Sequence, residues 1–177
     1  MPGYLINTQG LFFRLTSAGG GGDVFEAMQF AARMTTRPGV SKTMVVVTCD
    51  QISDGYFYGD AITMLREELI TMHYINPTQL TLKTKKSRKK IQIFGFDKLS
   101  VFTARNLNTL SGDMTLRGQL KVPKDYLSTL ATESGGSVFS QSFLVQSSRD
   151  FKTAASIFGR RVARTAVPNS CQVDKNY

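Results

Sequence analysis

At 177 residues, 41% hydrophobic and 20% charged, the chain is long enough to bury a full core, and it reads as a globular domain rather than a disordered or fibrous segment. It has no apolar run of the roughly 18 residues that a membrane-spanning helix needs, and Met1 to Leu15 lacks the basic and apolar regions of a signal peptide. The net charge of +9 is unevenly spread: Lys83, Lys85, Lys86, Arg88, Lys89 and Lys90 stand within one eight-residue run, and the rest of the chain carries only +3.

In chain order, Tyr4 to Leu15 predicts one or two short strands with a turn near Thr8 to Gly10. Four glycines, Gly19 to Gly22, then rule out a regular element. Asp23 and Glu26 have capping-box spacing, and Val24, Ala27, Met28, Ala31 and Met34 recur at helical intervals, so a helix is predicted from Asp23 to about Met34. A strand follows at Thr43 to Thr48. A second helix is expected at Asp60 to Ile70, with Ala61, Met64, Leu65 and Leu69 on one face, and a short strand at Thr71 to Ile75. That alternation argues for parallel βαβ units.

Beyond Asn76-Pro77 the rhythm breaks. Leu80 to Leu82 and Ile91 to Phe94 read as strand arms on either side of the basic run, paired as a hairpin or separate. Phe102 to Leu116 is ambiguous. Pro123 suits a first helical turn, so a helix is predicted from Val122 to about Thr132. Gly135 to Ser140 reads as a turn and then a strand. The last helix, Ser148 to Thr165, has Phe151, Ala155, Phe158 and Val162 as its apolar stripe. A single domain over residues 1–167 with a polar tail at 168–177 is the expected organisation.

Among these elements Met44 to Val47 has the strongest run of β-branched residues, which predicts a central strand covered on both faces. Ligands of open α/β sheets sit beyond the carboxyl ends of the strands, where Thr48, Cys49 and Asp50 would stand. Thr16, Asp23 and Asp50 are oxygen donors that would meet there as a metal site for a hard cation. Gly19 to Gly22 has neither P-loop nor dinucleotide-fold spacing. The basic run suits an anionic partner, or a solvated loop, and no aromatic residue interleaves it for base stacking. His73, the only histidine, reads as a structural residue, and no acid–base pair asks for catalysis. Cys49 and Cys171 have no metal-site spacing; they are two thiols or a disulfide.

The glycine-rich loop entering a helix, the strand ending V-V-V-T-C-D and the later S-G-G-S-V-F-S resemble a von Willebrand factor A-type domain. The resemblance implies an α/β, Rossmann-like, mostly parallel sheet flanked by helices. The D-x-S-x-S metal-motif strand of that family is missing, and Thr48-Cys49-Asp50 offsets its Thr-Asp-Gly by one. Four longer stretches, R-P-G-V-S-K-T-M-V-V-V-T-C (37–49), L-R-G-Q-L-K-V-P-K-D-Y-L (116–127), E-S-G-G-S-V-F-S (133–140) and R-R-V-A-R-T-A-V-P-N-S-C-Q (160–172), resemble the C-terminal portion of insect apolipophorins, which are large lipid transfer proteins.

That likeness implies a non-catalytic domain of a secreted, extracellular arthropod lipoprotein without a cofactor. Lipid would be met only through the parent particle. The basic run would contact a receptor, a glycosaminoglycan or another anionic surface. The alternatives are a divalent-cation-dependent adhesion module and an intracellular nucleic-acid binder, the latter disfavoured.

Overall fold

The structure is a computed structural model, and it describes residues 22–34, 41–48, 57–83, 90–103, 112–118, 120, 125–145 and 149–166. In chain order the elements are α1 (Gly22–Ala32), β1 (Lys42–Val47), α2 (Tyr58–Glu67), β2 (Ile70–Asn76), β3 (Thr81–Lys83), β4 (Lys90–Gln92), β5 (Gly95–Asp97) and β6 (Val101–Phe102). They continue with α3 (Met114–Arg117), α4 (Tyr126–Glu133), β7 (Ser137–Ser140), α5 (Gln141–Val145) and α6 (Arg149–Ala166). Five strands form one sheet in the order β1-β2-β7-β5-β6, and β3 and β4 form a separate hairpin. β1, β2 and β7 are parallel, β5 is antiparallel to β7, and β6 reverses again. Four of the five strands therefore point one way, and the fold is mixed α/β with a mostly parallel sheet flanked by helices, as in Rossmann-like proteins.

Strand alternation sends successive side chains to opposite faces, and the buried residues separate accordingly. Met72, Tyr74, Val138, Phe96 and Val101 join Phe25 and Met28 of α1, Ala61, Ile62 and Leu65 of α2, and Leu127, Leu130 and Ala131 of α4 in the larger core. Phe139 and Phe102 join Phe94, Phe143 of α5, and Ala154 and Ile157 of α6 in a smaller, phenylalanine-rich core. Phe139 is its hinge: its ring stacks on Phe102 at 5.5 Å and meets Phe158 edge-on at 5.2 Å.

The turn between α4 and β7 admits only glycine. Gly135, at φ +85°, donates to the Thr132 carbonyl, and Gly136 donates to the Ala131 carbonyl, the two bonds of a Schellman close. A Cβ on Gly136 would stand 1.8 Å from the Met72 carbonyl oxygen, so the turn can lie against β2 only without a side chain.

Several expectations need correction. β1 is a terminal strand of the sheet among the described residues, and Val45 and Val47 are 40% and 61% exposed. The central strands are β2 and β7, which bury polar residues, His73, Asn76, Ser137 and Ser140, and so lack the unbroken apolar run of β1. Leu69 is not on the buried face of α2. That helix ends at Glu67, and Leu69 sits beyond it at φ 53° with 81% exposure, a left-handed conformation that a leucine adopts under strain.

α1 begins at Gly22, so Asp23 lies inside its first turn rather than at its cap. α4 begins at Tyr126, capped by the Asp125 carboxylate, which accepts from the Leu127 amide; Pro123 falls outside the described residues. On α6 the fully buried positions are Ala154 and Ile157, one residue off the expected stripe, with Phe151, Ala155, Phe158 and Val162 half-buried beside them. The two arms around the basic run do pair as a hairpin. The strand expected at Tyr4 to Leu15 and the tail at 168–177 lie outside the described residues.

Candidate functional site

The carboxyl edge of the parallel strands is where the sequence directs attention, and the structure adds to it. β2 ends there at Asn76 and β7 at Ser140. β5 begins at the same edge, since Gly95 pairs with Phe139. The hairpin β3–β4 leaves after β2 and returns before β5, so it rises from this edge. Leu80, Leu82 and Ile93 root it in the larger core, and the Ile93 amide donates to the Leu80 carbonyl at 3.1 Å. Its register puts Lys83 opposite Lys90, while Ile91 and Gln92 are exposed. Lys85, Lys86, Arg88 and Lys89 fall in the connection, outside the described residues. Lys83 and Lys90, the described ends of the basic run, therefore belong to a hairpin that leaves from the strand edge the sequence offers as a separate candidate.

Below the hairpin runs a buried polar chain that sequence reasoning missed. The Asn76 side chain donates to Asp125 Oδ2 at 3.2 Å, and its Oδ1 accepts from the Thr78 amide and hydroxyl at 2.8 and 2.7 Å. The Ser128 hydroxyl donates to Asp125 Oδ2 at 2.9 Å. Ser140 Oγ donates to the Thr78 carbonyl at 3.1 Å and lies 2.8 Å from Ser142 Oγ. Asp125 is thus filled by an amide, a serine and an asparagine, and it occupies the N-terminus of α4 against any outside anion. The Tyr74 hydroxyl is buried nearby without a hydrogen bond of ordinary geometry among the described residues. Burial, then the Asp125 charge, raises its pKa well above the usual phenol range, so it remains a neutral phenol. The available signals were a strand-end Asn-Pro-Thr and a Ser-x-Ser; neither reads as a network until the strands are adjacent.

Of the other expected site residues, the described structure includes only Asp23. Asp23 is in the first turn of α1, and Thr16, Asp50, Cys49 and Cys171 lie outside the described residues. No group of three His, Cys, Asp or Glu that could hold a metal occurs among the described residues.

His73 sits at mid-strand on the opposite face of β2. Nδ1 is 2.8 Å from Ser137 Oγ and Nε2 is 2.9 Å from Thr165 Oγ1 of α6. The first contact is a nucleophile–base distance, but the second nitrogen meets a hydroxyl rather than a carboxylate, and both His73 and Ser137 are buried. Its evident role is to fasten α6. A second fastening is the ion pair of Arg161 with Asp97, whose Oδ1 also accepts from the Leu99 and Ser100 amides and the Ser100 hydroxyl. Arg161 lies 5.1 Å over the Phe102 ring, and burial followed by the Arg164 charge lowers its pKa.

No protein-family model, curated protein or solved structure matches the chain. No helix among the described residues is long and apolar enough to cross a membrane.

Proposed function

We propose that this chain is a non-catalytic, von Willebrand factor A-like domain of a secreted, apolipophorin-like lipid carrier, and that it meets an anionic surface through the β3–β4 hairpin. The observation that carries the contact is the hairpin itself. Lys83 and Lys90 are opposed in register, and like charges directly opposite in a ladder are destabilising unless an anion compensates. The sequence between them adds four more cations, Lys85, Lys86, Arg88 and Lys89. A mostly parallel sheet with its ligand-facing edge at this end accords with the domain assignment, and the four apolipophorin-like stretches support the carrier.

Replacing Lys83, Lys85, Lys86, Arg88, Lys89 and Lys90 together by glutamine is expected to weaken binding to immobilised heparin and to anionic vesicles at least about tenfold near physiological salt, since each basic residue near an anionic surface contributes on the order of 1 kcal/mol before screening. Retention unchanged across a salt gradient would remove the hairpin from the interface. The carrier assignment has its own test in the transcript upstream of Met1. An in-frame lipid-carrier sequence with a signal peptide is expected, and an in-frame stop immediately upstream would overturn it.

A further inference from the structure

Among the described residues β1 has a strand neighbour on one side only. β2 holds its inner edge, from Lys42 beside Ile70 to Val47 beside Ile75. Sheets protect an open edge by charging it, shortening it or covering it. This one instead carries Val45 and Val47, 40% and 61% exposed, on the face turned away from the larger core that Val46 joins.

The helix nearest that edge is also incompletely covered. α1 lies beside α2 and runs the same way. Phe25, near its start, meets Phe57 at the start of α2 at 5.8 Å, and Gln29, Ala32 and Arg33 share a groove with Met64, Glu67 and Glu68 at the end of α2. α4 takes the other flank of α2, where Tyr58 and Tyr126 meet at 5.5 Å, and lies along β2 through bonds to Met72 and Asn76. α1 therefore falls on the β1 side. At about 100° per residue, Val24, Ala27 and Ala31 stand on the flank of α1 turned away from Gln29 and Arg33, and so from α2. All three are apolar and only half-buried. An apolar helix flank beyond an open strand edge calls for another element beneath it.

The residues that lead into α1 have the composition for that element. Leu11-Phe12-Phe13-Arg14-Leu15 is followed by residues 16–21 and then by Gly22, a connection of about the length usual between a strand and its helix. α2 starts beyond the carboxyl end of β1, and α1 runs the same way, so a strand feeding α1 ends at that same edge and is parallel to β1. α2 carries β1 to β2 across the larger-core face. A crossover through α1 on that face has the same hand only if its first strand lies on the far side of β1 from β2. That is the open edge.

We propose that Leu11 to Leu15 form a further strand of the main sheet, parallel to β1 on its open edge and beneath α1. Alternation sends Leu11, Phe13 and Leu15 toward Val24, Ala27 and Ala31, and Phe12 and Arg14 to the face of Val45 and Val47. The opposite phase would bury Arg14 under α1, which fixes the choice of faces. Residues 167–177 are also within reach of this edge, since Thr165 Oγ1 lies 3.3 Å from Thr43 Oγ1. They contain Pro168, Asn169, Asp174 and Lys175 and no comparable apolar run. The strand rests on neither the hairpin contact nor the carrier assignment.

Nuclear magnetic resonance on the full chain tests it. Cross-strand amide contacts are expected between residues 11–15 and 43–47. Every amide from Thr43 to Val47 is expected to exchange at least about a hundredfold more slowly than in unstructured chain, whereas a strand paired on one side protects only alternate amides. Phe13→Asp, which places a charge under α1, is expected to speed exchange at the outward amides of β1 at least about tenfold while β2 and β7 stay protected. Should that variant not fold, the contacts in the unaltered chain decide. Contacts that persist between differently labelled chains in a mixed sample would assign the strand to a second copy, and contacts from 43–47 to 167–177 would assign it to the C-terminal residues. Either result, fast exchange at alternate β1 amides of the unaltered chain, or β1 exchange indifferent to Phe13→Asp would overturn the proposal.

Discussion

Phe139→Ala is expected to lower the stability of the domain by about 4 kcal/mol, the usual cost of emptying a phenylalanine-sized site in a core that relaxes only in part. Phe139 is fully buried on central strand β7, stacked against Phe102 and edge-on to Phe158, so its ring joins the antiparallel end of the sheet to α6. Two further aromatics, Phe94 and Phe143, pack against each other at 4.6 Å in the same core. With total stabilities of about 5–15 kcal/mol, this one change removes a large share. Urea unfolding followed by circular dichroism measures it. Phe139→Leu, which leaves a smaller void, should lose about 1–2 kcal/mol. A loss below about 1 kcal/mol for the alanine variant would mean that the smaller core does not depend on this ring.

Asp97→Ala is expected to cost about 3 kcal/mol, chiefly because it strands the Arg161 guanidinium in a partly buried site over Phe102. The carboxylate also shapes the β5–β6 turn through its bonds to Leu99 and Ser100. Asp97→Asn separates the two roles, since the amide oxygen can still accept from the turn while the charge is gone. A double-mutant cycle of Asp97→Ala with Arg161→Ala should return a coupling of about 1.5–3 kcal/mol. Coupling near zero would show that the turn, not the ion pair, carries the residue's effect. Arg117, whose Nε donates to the Asp97 carbonyl at 2.7 Å, stays in place in all of these variants and provides an internal control.

How far the sequence reached depended on whether a signal was local. The helices α1, α2 and α6 follow from periodic apolar residues, and their limits differ from expectation by a few residues because capping is decided within one turn. The hairpin was legible for the same reason: two short apolar arms border a run too charged to be buried. The site beneath it was not. Asn76, Thr78, Asp125, Ser128, Ser140 and Ser142 come from three separate stretches, and each alone reads as an ordinary strand-end or cap residue. Arg161 was hidden likewise, because a helix with several arginines does not announce which one is turned inward.

The strand at Lys42 to Val47 shows the same division. Its composition determined that it is a strand, and the alternation of strands with helices determined an α/β fold; both follow from backbone preference and side-chain period, which act over a few neighbours. Composition also determined that one segment would carry six of the net nine positive charges. Only the tertiary structure decided strand order, placing β1 at the end of the described sheet and the polar-rich β2 and β7 at its centre. Burial of a polar strand becomes favourable once partners such as Ser137, Thr165 and Asp125 arrive from distant positions, and no local pattern records that they will.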